Sequence, residues 1–441
     1  MKDFFELRNH GTDTRREVLA GMTTFVASMY IILLNPAILQ SAGMPYSASL
    51  TATVLVSAFS SILMGLYTNS PLLVAPGMSL NQLVAVAVTR AHGVGYETAL
   101  GCVFYAGVIY LVLLSVDRRR RLIHGIPRML RFGLAGGIGL FIALLGLGSG
   151  GFIVVGPEGG LRLGAFHPGN LTFLVGLAVT SVMVVRKTAA AFLWGVALTT
   201  LMACPIGRWW VHPLAPEPVV VWQGLARWPD FSLLWQLDLV GAAHLIHWPL
   251  ILVLLFSCLF DSMATCVGVS EAGDLVDHRG EPRNLVEGLR ASAIAVVTAG
   301  VLGTSPATPF IESSTGVRSG GRTGLTAVVA GLLFLPFLFL SPLLSLVPAL
   351  ATAPVLVLAG VFMLKPMIYV RWERFDDAIP FFMAMILMPL THSITHGIIW
   401  GCLSWTLLKA ACGKYRQIPP ALLGLDAMAL FLLFNLEIFG H

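Results

Sequence analysis

The chain has 441 residues, 56% of them hydrophobic and only 11% charged. Soluble domains carry roughly a quarter of their residues as Asp, Glu, Lys and Arg, so this composition excludes a soluble surface over most of the chain and points to an integral membrane protein. The net charge of +5 would suggest a nucleic-acid binder in a soluble protein, but in a membrane protein Lys and Arg report topology first, and no nucleic-acid partner is expected.

The N-terminal segment MKDFFELRNHGTDTRRE carries charges of both signs and leads into an apolar run long enough to span, so no cleavable signal is expected. About 20 apolar residues cross a bilayer core. Candidate spans follow at 18–40, 50–69, 72–90, 97–116, 125–147, 170–186 and 188–205, then at 246–268, 289–303, 305–318, 322–341, 353–370, 377–391 and 394–412. A last apolar stretch, 421–438, either spans or lies along the inner surface. The expected fold is therefore an all-α polytopic membrane protein of 14 transmembrane spans.

With the N-terminus in the cytoplasm, alternation of these spans puts 23 of the 27 Lys and Arg inside and only Arg90, Arg162, Arg208 and Arg227 outside. That bias favours fourteen spans with both termini cytoplasmic. The run Arg118 to Arg121 reads as a topology anchor. The Trp-rich stretch 206–245 is an extracytoplasmic connector between residues 1–205 and 246–415, and 416–441 forms a C-terminal segment. Seven spans on each side of the connector give halves of opposite orientation, as in inverted-repeat transporters.

The third span of each half is broken. PLLVAPGMSLNQLVAVAV begins at Pro71, GTSPATPFIESSTGVR at Gly303, and each opens with an extended, Pro-containing stretch before a helix can start. Pro76 and Pro309 remove backbone donors, and irregular backbone is tolerated in lipid only where protein or a wet cavity surrounds it. Paired breaks at matching positions point to a transport site near the midplane. Two acids sharpen this: Asp261 lies deep in LLFSCLFDSMATCVG, and Glu312 follows the second break. A carboxyl in hydrocarbon is costly and marks a functional site, where one such group can hold substrate and another a transported proton. A purely structural alternative has Glu312 capping a half-helix.

The blocks FFELRNHGTDTRREVLAGMTTFVASMYIILLNPAILQSAGM, NSPLLVAPGMSLNQ, LFDSMATCVGVSEAGDL, GTSPATPFIESSTGVRSGGRTGLTAVVAGLLF and MPLTHSITHGI cover the length of the chain. In them the sequence resembles the nucleobase:cation symporter-2 family, specifically its Azg-like branch of adenine, guanine and hypoxanthine permeases. The resemblance implies two inverted repeats of seven spans, with a core domain from spans 1–4 and 8–11 and a gate domain from spans 5–7 and 12–14. It also implies short antiparallel strands meeting in spans 3 and 10, and proton-coupled uptake of a purine-type base by alternating access across the plasma membrane, the inner membrane of a bacterium. Carried over by motif, Asp261 and Glu312 hold the base and couple the proton; Thr308 and Phe310 line the tenth span; Met78, Ser79 and Gln82 line the third. Thr24, Ser28 and Tyr30 of the first span are further candidates for the same cavity. The chain reads APGMSLNQ, FDSMAT and FIES where the branch usually has APGMGLNA, FDTxGT and YIES, so which base is preferred stays open.

No cofactor is expected; the coupling ion is H⁺, with Na⁺ open, and a homodimer is an open alternative. The cysteines Cys102, Cys204, Cys258, Cys266, Cys402 and Cys412 lack ligand spacing and read as small hydrophobes. His392 and His396 stand i, i+4 but have no third ligand nearby, so no metal is expected. Glu271 and Asp274 read as solvated cytoplasmic residues, His244 and His247 as interfacial, and Gly133 with Gly137 as a helix-packing pair. Two competing readings remain: an anion carrier of the sulfate-permease or bicarbonate-exchanger type on the same general fold, or a permease for another small heterocycle. An intramembrane enzyme using Asp261 and Glu312 as an acid pair is a third, and no ATP-binding motif supports a pump.

Overall fold

The computed structural model of the protein describes residues 4–90, 95–116, 127–155, 160–186, 188, 191–206, 227–272, 275, 283–340, 346–364, 367–368, 370–391, 394–419, 422–423, 426–427 and 430. The basic run 117–121, connector residues 207–226, Asp274, His392 and most of 421–438 lie outside the described residues. Among those described, six helical stretches are long and apolar enough to cross a membrane: 14–40, 46–68, 96–115, 168–185, 245–270 and 285–302. Four shorter apolar helices accompany them, and the fold is that of a polytopic helical membrane protein.

The chain divides into two compact units, 1–116 with 167–352 and 117–166 with 353–441. In the first, α1 (Thr14–Ser28) opens on Asp13, whose carboxylate accepts from the Arg16 N–H and satisfies one of the free donors of the first turn. It gives way at Met29 and Tyr30 to α2 (Ile31–Gln40), so this 27-residue apolar stretch, 14–40, is interrupted near its middle. Within α2, Pro36 has no N–H to return to the Ile32 carbonyl. Next come α3 (Tyr46–Thr68), the strand β1 (Val74–Pro76), α4 (Met78–Arg90) and α5 (Tyr96–Val116).

The second unit begins with α6 (Arg128–Ser149) and a hairpin of β2 (Ile153–Val155) and β3 (Leu161–Leu163). The first unit resumes with α7 (Pro168–Val185), α8 (Ala191–Ala203), the single turn α9 (Leu239–Ala242), α10 (Trp248–Ala272), α11 (Leu285–Leu302), β4 (Ala307–Pro309), α12 (Ser313–Arg318) and α13 (Gly324–Phe334). The order α3–β1–α4–α5 thus recurs as α11–β4–α12–α13. The end of the connector is tied down: Ser47 Oγ donates to Asp230 Oδ2 at 2.7 Å, and the Asp230 N–H donates to Thr51 Oγ1 at 3.1 Å.

The chain completes the second unit with α14 (Ala349–Met363), which enters it at Ala353, α15 (Phe375–Leu390) and α16 (Ile394–Ala411). Here α6 lies against α15. A Cβ on Gly133 would stand 2.7 Å from the Phe381 carbonyl oxygen, and one on Gly137 2.8 Å from that of Ala384, so this pair serves close backbone packing. The buried Lys409 of α16 places Nζ 2.7 Å from both Asp376 Oδ2 and Asp377 Oδ1 at the start of α15, and Lys414 adds a 2.6 Å bond to Asp376.

Candidate functional site

The two broken spans meet as strands. β1 and β4 pair antiparallel, with Val74 opposite Pro309, Ala75 opposite Thr308 and Pro76 opposite Ala307. Prolines suit the ends of so short a ladder because it asks few donors of them. The flanking bonds run from Gly77 N to Pro306 O at 3.1 Å and from Phe310 N to Leu73 O at 2.8 Å. Side chains supply the rest: Ser313 Oγ accepts from Leu73 N, and Ser61 Oγ accepts from Val74 N, each at 3.0 Å. All six strand residues are buried, so the non-helical backbone is enclosed by protein, as lipid requires.

Asp261, on α10, is brought to this crossing. Thr308 Oγ1 donates to its Oδ2 at 2.7 Å, and a Cβ on Gly77 would approach that oxygen to 3.4 Å, which places the carboxylate beside the start of α4. Free N–H groups of a first helical turn favour negative charge there. Glu312 directly precedes α12 but makes no capping bond with it. It accepts instead from the phenol of Tyr30, whose OH lies 2.5 Å from Oε1, so the capping alternative gives way to a side-chain pair between the α1–α2 junction and the start of α12. The Tyr30 ring stands edge-on to Phe192 of α8 at 5.6 Å and tilted to Phe310 at 6.5 Å. Asp261 is thus held by a residue of β4, and Glu312 follows the end of that strand by three residues.

The other expected residues fall as follows. Met78 opens α4, half-buried, and Gln82 lies one turn further on the same helix, buried. The Ser79 side chain is outside the described residues. Thr24 and Ser28 are fully buried on α1, and neither hydroxyl has a hydrogen-bond partner among the described residues. Thr24 faces α12, where a Cβ on Gly316 would stand 2.6 Å from the Ala20 carbonyl. Only a glycine admits that approach.

The sequence reading passed over a buried amide network behind the strands. Asn35 Nδ2 donates to Thr53 Oγ1 at 2.7 Å and to Thr304 Oγ1 at 2.8 Å. Ser305 Oγ lies 3.0 Å from Asn35 Oδ1 and 2.6 Å from Asn81 Oδ1. It therefore links α2, α3, α4 and the residue run entering β4. Asn35 sits next to Pro36 in an apolar run and Asn81 between Ser79 and Gln82, so polarity inside each interrupted span was the available signal. A fully buried acid was also missed: Glu17 is enclosed and accepts from the N–H groups of Arg322 and Thr326, at 2.8 and 3.2 Å, and from the Thr326 hydroxyl at 2.5 Å. Among the described residues no cluster of three or more His, Cys, Asp and Glu is placed to hold a metal ion.

Comparison with known proteins gives this geometry a family. The chain is 38% identical to the adenine permease AdeP of Escherichia coli K12 over 421 residues, covering 95% of this chain and 92% of the relative. It is 35% identical to the guanine/hypoxanthine permease PbuO of Bacillus subtilis over 429 residues, covering 94% and 96%. The fold is similar to the transmembrane domain of the cyanobacterial bicarbonate transporter BicA, with a TM-score of 0.64 at 16% identity over 88% of this chain and 97% of that one. It is also similar to SLC26A9, with a TM-score of 0.63 at 11% identity over 90% and 65%. A family model described as Permease family (Xan_ur_permease) matches residues 15–399. These matches span the crossed strands, both carboxylates and the helices that carry them, and the chain belongs to the Permease family.

Proposed function

We propose that this protein is a secondary active transporter that imports a purine-type nucleobase by proton symport with alternating access. It would do so across the plasma membrane, through fourteen spans in two inverted repeats, with both termini in the cytoplasm. The repeated helix–strand–helix order and the antiparallel pairing of the equivalent strands support the inverted arrangement, since a two-fold axis between repeats requires equivalent strands to run oppositely. The curated relatives are adenine and guanine/hypoxanthine permeases, which supports the substrate class. A core built from spans 1–4 and 8–11 with a gate from the remaining spans is part of the same proposal.

The observation that carries the reading is chemical. The crossed strands bring two carboxylates together, each held by a neutral hydroxyl, and among the described residues neither is ion-paired. Such a centre accepts hydrogen bonds from the ring N–H groups of a neutral heterocycle and can take up a proton, while it repels an anion. Asp261 and Glu312 are therefore assigned to base binding and proton coupling. Thr308, Phe310, Met78, Ser79 and Gln82 are assigned to the walls, with Thr24, Ser28 and Tyr30 contributed from the first span. The acidic centre favours this over an anion carrier, although the fold is shared with one.

Reconstituted protein should accumulate labelled adenine, guanine or hypoxanthine when the outside is more acidic than the inside, and should lose that accumulation when a protonophore is added. Unlabelled bicarbonate and sulfate should not compete. Saturable sulfate or bicarbonate uptake without base uptake would overturn the reading, and base uptake driven by a Na⁺ gradient at equal pH would replace the coupling ion.

A further inference from the structure

The phenol of Tyr30 and a bound base want the same carboxylate. Tyr30 OH donates to Glu312 Oε1 at 2.5 Å, a length typical of an O–H···O⁻ bond, using the kind of acceptor site that a ring N–H of a nucleobase would need. Tyr30 sits at the interruption between α1 and α2, where the helical hydrogen-bond pattern lapses, and its ring is braced by Phe192 and Phe310. Its partner is the carboxyl that follows the tenth-span strand, and among the described residues no Lys or Arg is paired with that carboxyl.

We infer that Tyr30 is a positioning residue that stands in for the substrate: its phenol holds Glu312 while the unloaded carrier reorients, and it yields that oxygen to the base on loading. The inference rests on the proposed base:proton symport. An unpaired carboxylate carried through the low-dielectric site is costly, and a donor built into the protein removes that cost in the half of the cycle that lacks a base. The exchange keeps the bond count constant: one O–H donor to Glu312 leaves as one N–H donor arrives, and the phenolic proton stays on Tyr30. The same bond disfavours loading, because the base must displace it. A phenol in this role should therefore speed net transport at some expense of affinity.

Those two consequences separate in one experiment. In counterflow, vesicles preloaded with unlabelled base exchange it for labelled base, and the carrier need never reorient empty. In net uptake it must. Tyr30→Phe keeps the ring and its aromatic contacts and removes only the donor. With labelled adenine and labelled hypoxanthine as probes in reconstituted vesicles, net uptake by Tyr30→Phe should fall about 10-fold more than counterflow, the factor expected for leaving one buried acceptor unpaired. The half-saturation concentration in counterflow should fall below the wild-type value. Counterflow by the variant also reports that it is folded and inserted.

Equal losses in both modes, or a raised half-saturation concentration, would overturn the inference and make Tyr30 a simple contact or a structural residue, while wild-type transport of the base leaves the proposed function standing. If the wild-type protein moves neither base in either mode, the functional reading falls and this inference falls with it.

Discussion

Thr308 illustrates how much of the site depends on one hydroxyl. It is fully buried, it faces Ala75 across the strand pair, and its hydroxyl donates to Asp261. Thr308→Val keeps the shape and leaves that part-buried carboxylate short of a donor, which should cost about 1–3 kcal/mol, or about 5- to 150-fold in base affinity. Thr308→Ser should recover most of the loss. Binding of labelled hypoxanthine to purified protein measures both, and a Val variant that binds as wild type does would remove Thr308 from the site. Asp261 and Glu312 were legible in the sequence because an acid isolated in an apolar run has no cheap explanation. Glu17 was not, because it stands beside Arg15 and Arg16 where any helix start in the cytoplasmic flank could place it. Its burial comes from residues 322–326, more than 300 positions away, and no local pattern announces that.

At the scale of elements, the prolines announced where the third and tenth expected spans give way to strands, but not what repairs the breaks. Side chains from other helices do so, Ser61 of α3 and Ser313 of α12 completing the ladder, and Asn35 of α2 tying Thr53 to the residues entering β4. Such partners lie far apart in sequence, so a reading from periodicity sees only polar residues scattered through apolar helices. In the second unit, α15 and α16 are joined by the buried Lys409 and its two aspartates, and Lys409 and Lys414 hold the Asp376 carboxyl well below the usual carboxylate range. A carboxyl depressed in the folded state adds stability that is complete above its unfolded value, near 3.9, and is lost only as pH falls below that through the folded value. The link should therefore be insensitive to pH between about 5 and 8, where Asp376 is ionised in both states. Asp376→Asn removes one of two anions facing a buried ammonium and should lower stability by about 1–3 kcal/mol throughout that window. Thermal unfolding of the detergent-purified protein at several pH values measures it; a loss that grew toward pH 8 or vanished at pH 5 would show that another group carries the effect.

For the whole molecule, topology is the property the charge count bears on most directly, and it rests on parity. With a cytoplasmic N-terminus, the hairpin of β2 and β3 follows the fifth expected span and lies outside, whereas Tyr415 follows the fourteenth and lies inside. An odd number of crossings separates them, so one miscounted span would put both on the same side. The prolines and the acids made the third and tenth expected spans suspect as crossings, and the helical part of the tenth is only six residues, α12. Leu163 and Tyr415 are both strongly exposed, at 69% and 68%, and make suitable reporters. In a background with Cys412, the exposed native cysteine, replaced by serine, Leu163→Cys should react with a membrane-impermeant maleimide in intact cells. Tyr415→Cys should react only after the membrane is opened. Labelling of both in intact cells would break the fourteen-span count, and labelling of Tyr415→Cys alone would invert the orientation and with it the direction in which a proton gradient drives uptake.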